Sequence, residues 1–215
     1  MIGEYHKIKD GCRIGLIKYL EKAFSAIPEM DNPNILDIGC GTGVPTLWIA
    51  NKYTGTITAI DIDPLSLDWL QKKINTGNLR KRLTILNISF FNFKAESNSF
   101  DIILAEGFLN VVGFEKGFKK VIKLLKRNGY LIIHDEFKDH DKKCDFIRQN
   151  HCRIVDSVYL DEGVWWNDYY KRLLAEIHNK ENSKIHSFFK SDIKEIECYK
   201  ADPSAFRSIY YIIEK

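Results

Sequence analysis

Apolar and polar positions change period repeatedly along the chain. Ile17, Leu20, Phe24 and Ile27 recur at helical spacing across residues 11–27, and the stretch from Pro28 to Pro33 breaks the pattern. A short apolar run at 34–38 predicts a first strand. A glycine-rich join follows, then a helix carrying Leu47, Trp48 and Ile49. A second apolar run spans 56–60. After it, Asp63 is placed to cap a helix with Pro64 at its first position and Leu65, Trp69, Leu70 and Ile74 turned inward. Runs at 83–88, 101–105 and 130–133 predict three more strands. Between the last two lies a helix with Phe114, Phe118, Val121, Ile122 and Leu125 on one face, and Asn128-Gly129 reads as its stop. Strands alternating with helices predict a parallel α/β sheet with right-handed crossovers. The C-terminal third changes character. Residues 153–159 read as a strand, Tyr170, Leu173, Leu174 and Ile177 mark a helix, Phe189, Ile193 and Ile196 a second, and Phe206 to Ile213 a final strand.

The join after the first strand carries the sharpest chemistry. Ile35-Leu36-Asp37-Ile38-Gly39-Cys40-Gly41-Thr42-Gly43 runs an apolar strand, ending in an acid, into three alternating glycines. Glycines there leave main chain bare to a ligand and permit φ > 0. Downstream, Ile57-Thr58-Ala59-Ile60 ends at a second acid, Asp61. A glycine turn with an acid about 20 residues further on suits a nucleoside: the turn admits the ligand and the acid accepts from the ribose hydroxyls. A dinucleotide fingerprint would place its third glycine where this chain has Val44, which argues against NAD or FAD.

The Asp37–Gly43 segment resembles the first motif, Asp-x-Gly-x-Gly-x-Gly, of the class I S-adenosylmethionine-dependent methyltransferases, and the Asp61 segment resembles their second. The resemblance covers roughly residues 34–136. It implies a doubly wound α/β fold with a seven-stranded, mostly parallel sheet in order 3-2-1-4-5-7-6, strand 7 antiparallel, and helices on both faces. It implies S-adenosyl-L-methionine as cofactor and S-adenosyl-L-homocysteine as product. Asp37, Gly39, Cys40, Gly41 and Gly43 would follow the methionine part and the ribose, and Asp61 the ribose hydroxyls. Ile62 would pack on adenine, Ser89 and Phe90 would line its edge, and Glu106 would face the sulfonium. The family usually has an acid where Ser89 stands; a serine hydroxyl still accepts. Cys40 reads as a small packed residue rather than a nucleophile. The motif order, including Asn98-Ser99-Phe100-Asp101 and Leu124-Leu125-Lys126-Arg127-Asn128-Gly129-Tyr130, resembles the ubiquinone/menaquinone-biosynthesis type of small-molecule enzyme.

Methyl transfer is an in-line displacement, so the protein's main task is alignment. A hydroxyl, phenol or amine acceptor must also lose a proton. Glu106 at the end of strand 4 and His134, Asp135 and Glu136 at the end of strand 5 are the candidate bases, and strand alternation turns some of them away from the cleft. With Asp139 and His140 they also offer oxygen and imidazole ligands, but no metal-ligand spacing is diagnostic and no metal is expected. Trp165, Trp166, Tyr169 and Tyr170 precede a helix; they either staple it to the core or wall the acceptor pocket. Residues 105–110 lack the Asn/Asp-Pro-Pro-Tyr/Phe motif of amide and exocyclic-amine methyltransferases. Glu106 and Glu115 are similar in spacing to the glutamate pair of protein arginine methyltransferases, but residues 153–215 are too few for those enzymes' barrel. Glu115 reads instead as an acid at a helix N-terminus.

A chain of 215 residues suits one such domain with a lid. The expected division is a helical lid at 1–30, including Tyr5 and Arg13, a cofactor core at 31–140, and segments at 141–215 that complete the sheet and the acceptor pocket. Its 32 basic and 29 acidic residues nearly balance, so no nucleic-acid partner is expected. Lys119, Lys120, Lys123, Lys126 and Arg127 read as the solvated face of a helix. No apolar run reaches the ~20 residues of a membrane span. Met1 to Asp10 is too polar for a signal peptide, and five scattered cysteines without a C-x-x-C pair read as free thiols. The expectation is a cytoplasmic monomer or homodimer that methylates a small-molecule acceptor. The alternatives are a cofactor-binding or regulatory subunit without turnover, and a protein or RNA methyltransferase.

Overall fold

Short apolar runs, too brief for helices and rich in Ile and Leu, supply the centre of the molecule. A computed structural model describes residues 1–74 and 78–215. The runs form β1 (Ile35–Ile38), β2 (Ile57–Asp61), β3 (Leu83–Asn87), β4 (Phe100–Glu106), β5 (Leu125–Glu136), β6 (Arg153–Leu160) and β7 (Ser208–Glu214). Among the described residues these seven strands make one sheet in the order β3-β2-β1-β4-β5-β7-β6. The first five are parallel, and β7 runs antiparallel to both β5 and β6. This is the order the methyltransferase resemblance implies.

Ten α-helices of the described residues surround the sheet: α1 (Ile2–Arg13), α2 (Ile17–Ser25), α3 (Val44–Lys52), α4 (Pro64–Ile74), α5 (Leu109–Val112), α6 (Phe114–Leu124), α7 (His140–Gln149), α8 (Glu162–Trp165), α9 (Lys171–Asn179) and α10 (Lys190–Ala201). Strand alternation sorts the core into two layers. Ile35, Ile57, Ile102, Leu104, Ile132 and Tyr210 pack against α2, α3 and α4 through residues such as Leu20, Phe24, Ile49 and Leu70. Leu36, Ile60, Ile103, Ile133 and Tyr211 pack against Phe118 and Val121 of α6 and Ile147 of α7. Each such fully buried side chain contributes roughly 1.5–3 kcal/mol before entropy is counted. A third cluster joins Cys12 and Leu16 to Tyr170, Leu173, Phe189 and Tyr199, so α1 and the C-terminal helices share a small core of their own and form a cap.

The Asp63 cap forms as the sequence indicates. Its carboxylate accepts from the Leu65 N–H at 3.0 Å and from Ser66 Oγ at 2.6 Å. Glu115 sits in the first turn of α6, where the helix dipole favours an acid. Two boundaries differ from the pattern. Helix begins at Ile2 rather than near residue 11, because residues 2–13 owe their helicity to packing against the cap and α4. Helix α6 ends at Leu124, and Leu125 is already paired with Phe100. Asn128, at φ 60°, and Gly129 lie inside β5 at a register shift and do not stop the helix. All five cysteines are free thiols. Among the described residues no helix is long and apolar enough to cross a membrane.

Candidate functional site

The strand order reverses between β1 and β4, the place where open α/β sheets bind ligands at their carboxyl ends. The glycine turn lies there. Gly39, Gly41 and Gly43 all take positive φ, at 73°, 52° and 80°. A Cβ on Gly43 would stand 2.4 Å from Leu70, whereas one on Gly41 would meet nothing within 4 Å. The first glycine demanded by packing is therefore Gly43, and Gly41 leaves main chain open to a ligand. Asp61 holds the turn: its Oδ2 accepts from the Gly41 N–H at 2.8 Å and its Oδ1 from the Asp63 N–H at 2.9 Å. Each oxygen keeps a further acceptor site for a ligand hydroxyl.

Two cavities meet at this switch point and share Gly39 and Gly107. The smaller, about 260 Å³, is an apolar slot between Ile60, Ile62, Ile88, Phe90 and Phe108, with Asp61 and Ser89 on its wall. Ile62 stands 71% exposed at its rim. The larger cavity, about 640 Å³, lies under the cap and is lined by Asp37, Glu106, His134, Trp165 and Tyr169 among others.

The floor of the larger chamber is a row of side chains across the sheet. Glu106 of β4, His134 of β5 and Tyr210 of β7 are register partners, so their side chains share one face. Glu106 Oε1 accepts from Arg13 of α1 at 2.6 Å, which brings the cap onto the floor. Burial opposes the Arg13 charge, but the Glu106 carboxylate more than offsets it and holds the guanidinium above its ordinary value. His134 stacks on Tyr210 at 4.3 Å between ring centres and, on its other side, on Trp165 at 5.9 Å. Its Nε2 lies 3.0 Å from Ser208 Oγ, which also accepts from Trp165 Nε1 at 3.2 Å. Burial pushes the imidazole down to about 4, so it is neutral at pH 7. Burial, with Glu106 beside it, pushes the Tyr210 phenol well above its usual range.

Asp37 points to the same face from β1. It is 2% exposed and accepts from Thr46 Oγ1 at 2.6 Å. Burial pushes its carboxyl up to about 7; the Thr46 bond opposes this, and nearby Glu106 and Asp61 add to it. An acid so placed gains from a cation brought beside it. Cys40 is buried, and burial together with Asp37 and Asp61 pushes its thiol far up, so it is inert as a nucleophile.

The structure separates the remaining candidates. Asp135 projects to the opposite face from His134. Its Oδ2 lies 3.3 Å from Lys143 Nζ, which directs its hydrogen bond to the Glu136 carbonyl at 2.6 Å. Burial raises the Asp135 carboxyl and Lys143 opposes the rise. Glu136 is exposed at the chamber mouth, 3.5 Å from Asn110 Nδ2. Asp139 pairs with Lys142, and His140 Nδ1 lies 3.0 Å from the Tyr211 hydroxyl; among the described residues no group of three acids, histidines or cysteines converges as a metal site would require. Trp165, Tyr169 and Tyr170 face the chamber, but Trp166 does not line it and stacks instead on Tyr199 at 6.0 Å. The π-helical turn Trp166–Tyr170 has more residues per turn than an α-helix and so shifts the phase of the aromatic run. Sequence reasoning missed Tyr210, Ser208 and Asp10. Only pairing between distant strands and docking of α1 bring them to the site.

Residues 35–129 match the family described as methyltransferase domain. The match spans 95 of the 215 residues. The chain is 29% identical over 160 residues to the ribosomal protein L11 methyltransferase of Ruminiclostridium cellulolyticum, covering 74% of this chain and 47% of that one. The chain spans under half the length of the curated relatives it matches first. Among solved structures, the cyclopropane synthase MmaA2 from Mycobacterium tuberculosis superposes with a TM-score of 0.78 at 13% identity, covering 93% of this chain and 84% of that one. A Geobacter sulfurreducens SAM-dependent methyltransferase, solved with S-adenosyl-L-homocysteine, gives a TM-score of 0.69 at 13% identity and covers 91% and 90%. These likenesses show that the chain shares its fold with both structures over more than nine-tenths of its length.

Proposed function

We propose that this chain binds S-adenosyl-L-methionine across the tips of β1, β2 and β4 and transfers its methyl group to a small-molecule acceptor held under the cap. The observation that carries the reading is the pair of cavities joined at Gly39 and Gly107: an apolar slot of nucleoside size and a polar chamber beside it. The residues present fit the cofactor. Main chain at Gly41 is open, Asp61 has acceptor capacity for the ribose, and Ile62, Ile88 and Phe90 offer faces to adenine. Ser89 accepts or donates at its edge. Asp37 stands where a positive charge would ionise it.

The bound group would supply a methyl carbon activated by positive sulfur. The chain's own residues then align, shield and deprotonate. The cap excludes water from the chamber. Glu106, fixed by Arg13, is the carboxylate placed to take the acceptor's proton; His134, stacked between Tyr210 and Trp165 with its Nε2 on Ser208, serves as a hydrogen-bonding partner. Asp135 lies on the other face and Glu136 at the mouth, so neither is the base in this reading. A chamber of about 640 Å³ is of small-molecule size, and Trp165, Tyr169 and Phe206 suit a planar or cationic acceptor. Such an acceptor agrees with the resemblance to the ubiquinone/menaquinone type. On this reading residues 31–140 hold the cofactor, while 1–30 and 141–215 shape the acceptor side.

The test is to incubate the chain with methyl-labelled S-adenosyl-L-methionine and a metabolite extract and to identify the labelled product by mass spectrometry. The expected result is one methylated small molecule with stoichiometric S-adenosyl-L-homocysteine. Asp61→Ala, which removes two main-chain contacts and the ribose acceptor, should weaken cofactor binding by about 10- to 100-fold. Tight cofactor uptake without any turnover would instead support a silent subunit. Label in a protein or RNA band would move the acceptor to a macromolecule.

A further inference from the structure

We propose that Asp10, on the capping helix α1, is a positioning residue for the cofactor turn and makes docking of that helix and loading of the cofactor one event. The inference rests on the cofactor reading above and deepens it. The Asp10 carboxylate is met from two separate elements. Its Oδ1 accepts from Thr42 Oγ1 at 2.6 Å; its Oδ2 accepts from Trp69 Nε1 at 2.9 Å and from Lys73 Nζ at 2.6 Å. Thr42 sits between Gly41 and Gly43 and offers the turn's hydroxyl. The inner part of that turn is tied to the sheet by the Gly39 and Cys40 N–H groups on the Ile60 carbonyl and by Gly41 on Asp61. The outer part is glycine-flanked chain with positive φ on both sides, which is expensive to order. Asp10 supplies an anchor there from outside the sheet.

The same helix reaches the rest of the site. Lys9 pairs with buried Asp192 of α10 at 2.7 Å, and Tyr5 donates to Asp192 at 2.9 Å. Arg13 pairs with Glu106. One rigid helix thus contacts the cofactor turn through Asp10, the cap through Lys9 and the chamber floor through Arg13. A ligand that orders the turn lowers the cost of docking α1, and by linkage a docked α1 raises affinity for that ligand.

The probe is S-adenosyl-L-homocysteine, and the variants are Asp10→Asn and Trp69→Phe. Asn keeps the shape but loses the charge that Lys73 pairs with, and Phe keeps an aromatic ring but loses the N–H donor. Binding is measured by calorimetry, and hydrogen exchange is followed over residues 2–13 and 39–43 with and without the probe. The expected result is slower exchange of residues 2–13 on probe binding to the wild type. Asp10→Asn should bind about 10-fold or more weakly and lose that probe-dependent difference, and Trp69→Phe should weaken binding by a smaller factor. A merely structural role would speed exchange with and without the probe and leave the difference in place. Wild-type binding with both variants within twofold and the protection difference retained overturns the inference alone. A wild-type chain that takes up no probe overturns the cofactor reading, and this inference with it.

Discussion

Replacing Asp37 by Asn should stabilise the ligand-free protein, and more so as pH rises. Asp37 is 2% exposed and accepts from Thr46 Oγ1, a donor that an Asn side-chain carbonyl also satisfies. Its carboxyl has an ordinary value of 3.8 and rises to about 7 in the folded chain, chiefly through burial. A raised folded value means that the native state holds a proton the unfolded chain releases, so stability falls as pH climbs from about 3.8 to about 7 and stays low above that. At roughly 1.4 kcal/mol per pH unit the full penalty is about 4 kcal/mol above pH 7, and between one and two at pH 5. Asn carries no such penalty. Chemical unfolding of wild type and Asp37→Asn at pH 5 and pH 8 should therefore show the variant ahead at both, with its lead larger by about 2–3 kcal/mol at pH 8. A lead that does not change with pH, or a variant less stable than wild type at pH 8, would refute the reasoning that this acid is held against its charge for the sake of a ligand.

Three further outcomes follow from the same geometry. Cofactor affinity should rise with pH up to about 7 and then level, since a cationic ligand binds ionised Asp37 and must displace its proton below that point; calorimetry in buffers of different ionisation enthalpy should detect proton release at pH 6, and equal affinity at pH 5.5 and 8 would contradict it. His134 should titrate near 4 in an NMR experiment on the free protein, remaining neutral through pH 6, and a midpoint near 6.5 would show that its stack with Tyr210 and Trp165 does not desolvate it. Lys143→Met should destabilise the chain at pH 7 by about 3–5 kcal/mol, because it leaves Asp135 buried without its cation; a loss under about 1 kcal/mol by urea unfolding would show that the pair is not what holds this acid.

What the sequence makes legible is what neighbours along the chain decide. The Asp37–Gly43 turn, Asp61 and the Asp63-Pro64 helix start are each set by a few adjacent residues, and all three form. The strand run Ile102–Ala105 is apolar throughout because β4 is covered on both faces, and that too can be read. The insertion of β7 between β5 and β6 came only from family resemblance, since periodicity carries no information on which strand pairs with which. Leu125-Lys126-Arg127 continues the helical pattern of α6, yet pairing of Leu125 with Phe100 wins, and Asn128 turns within the strand instead of ending the helix. The candidate bases show the same limit: alternation says that His134 and Asp135 face opposite ways, but not which way is inward until β7 places Tyr210 beside His134. Trp166 turns away because a π-helical turn shifts the phase of the aromatic run, and no local residue announces that turn. Asp10 is a polar residue in a polar helix by sequence; its three donors come from residues 32 to 63 positions away.

The measurement that tests the central claim most directly is calorimetric titration of the purified chain with S-adenosyl-L-homocysteine, with NAD and FAD as competitors. The account predicts a single site per chain for the adenosyl compound, weakened in Asp61→Ala, and no uptake of either dinucleotide. No heat with the adenosyl compound, together with tight binding of a nicotinamide or flavin, would contradict it.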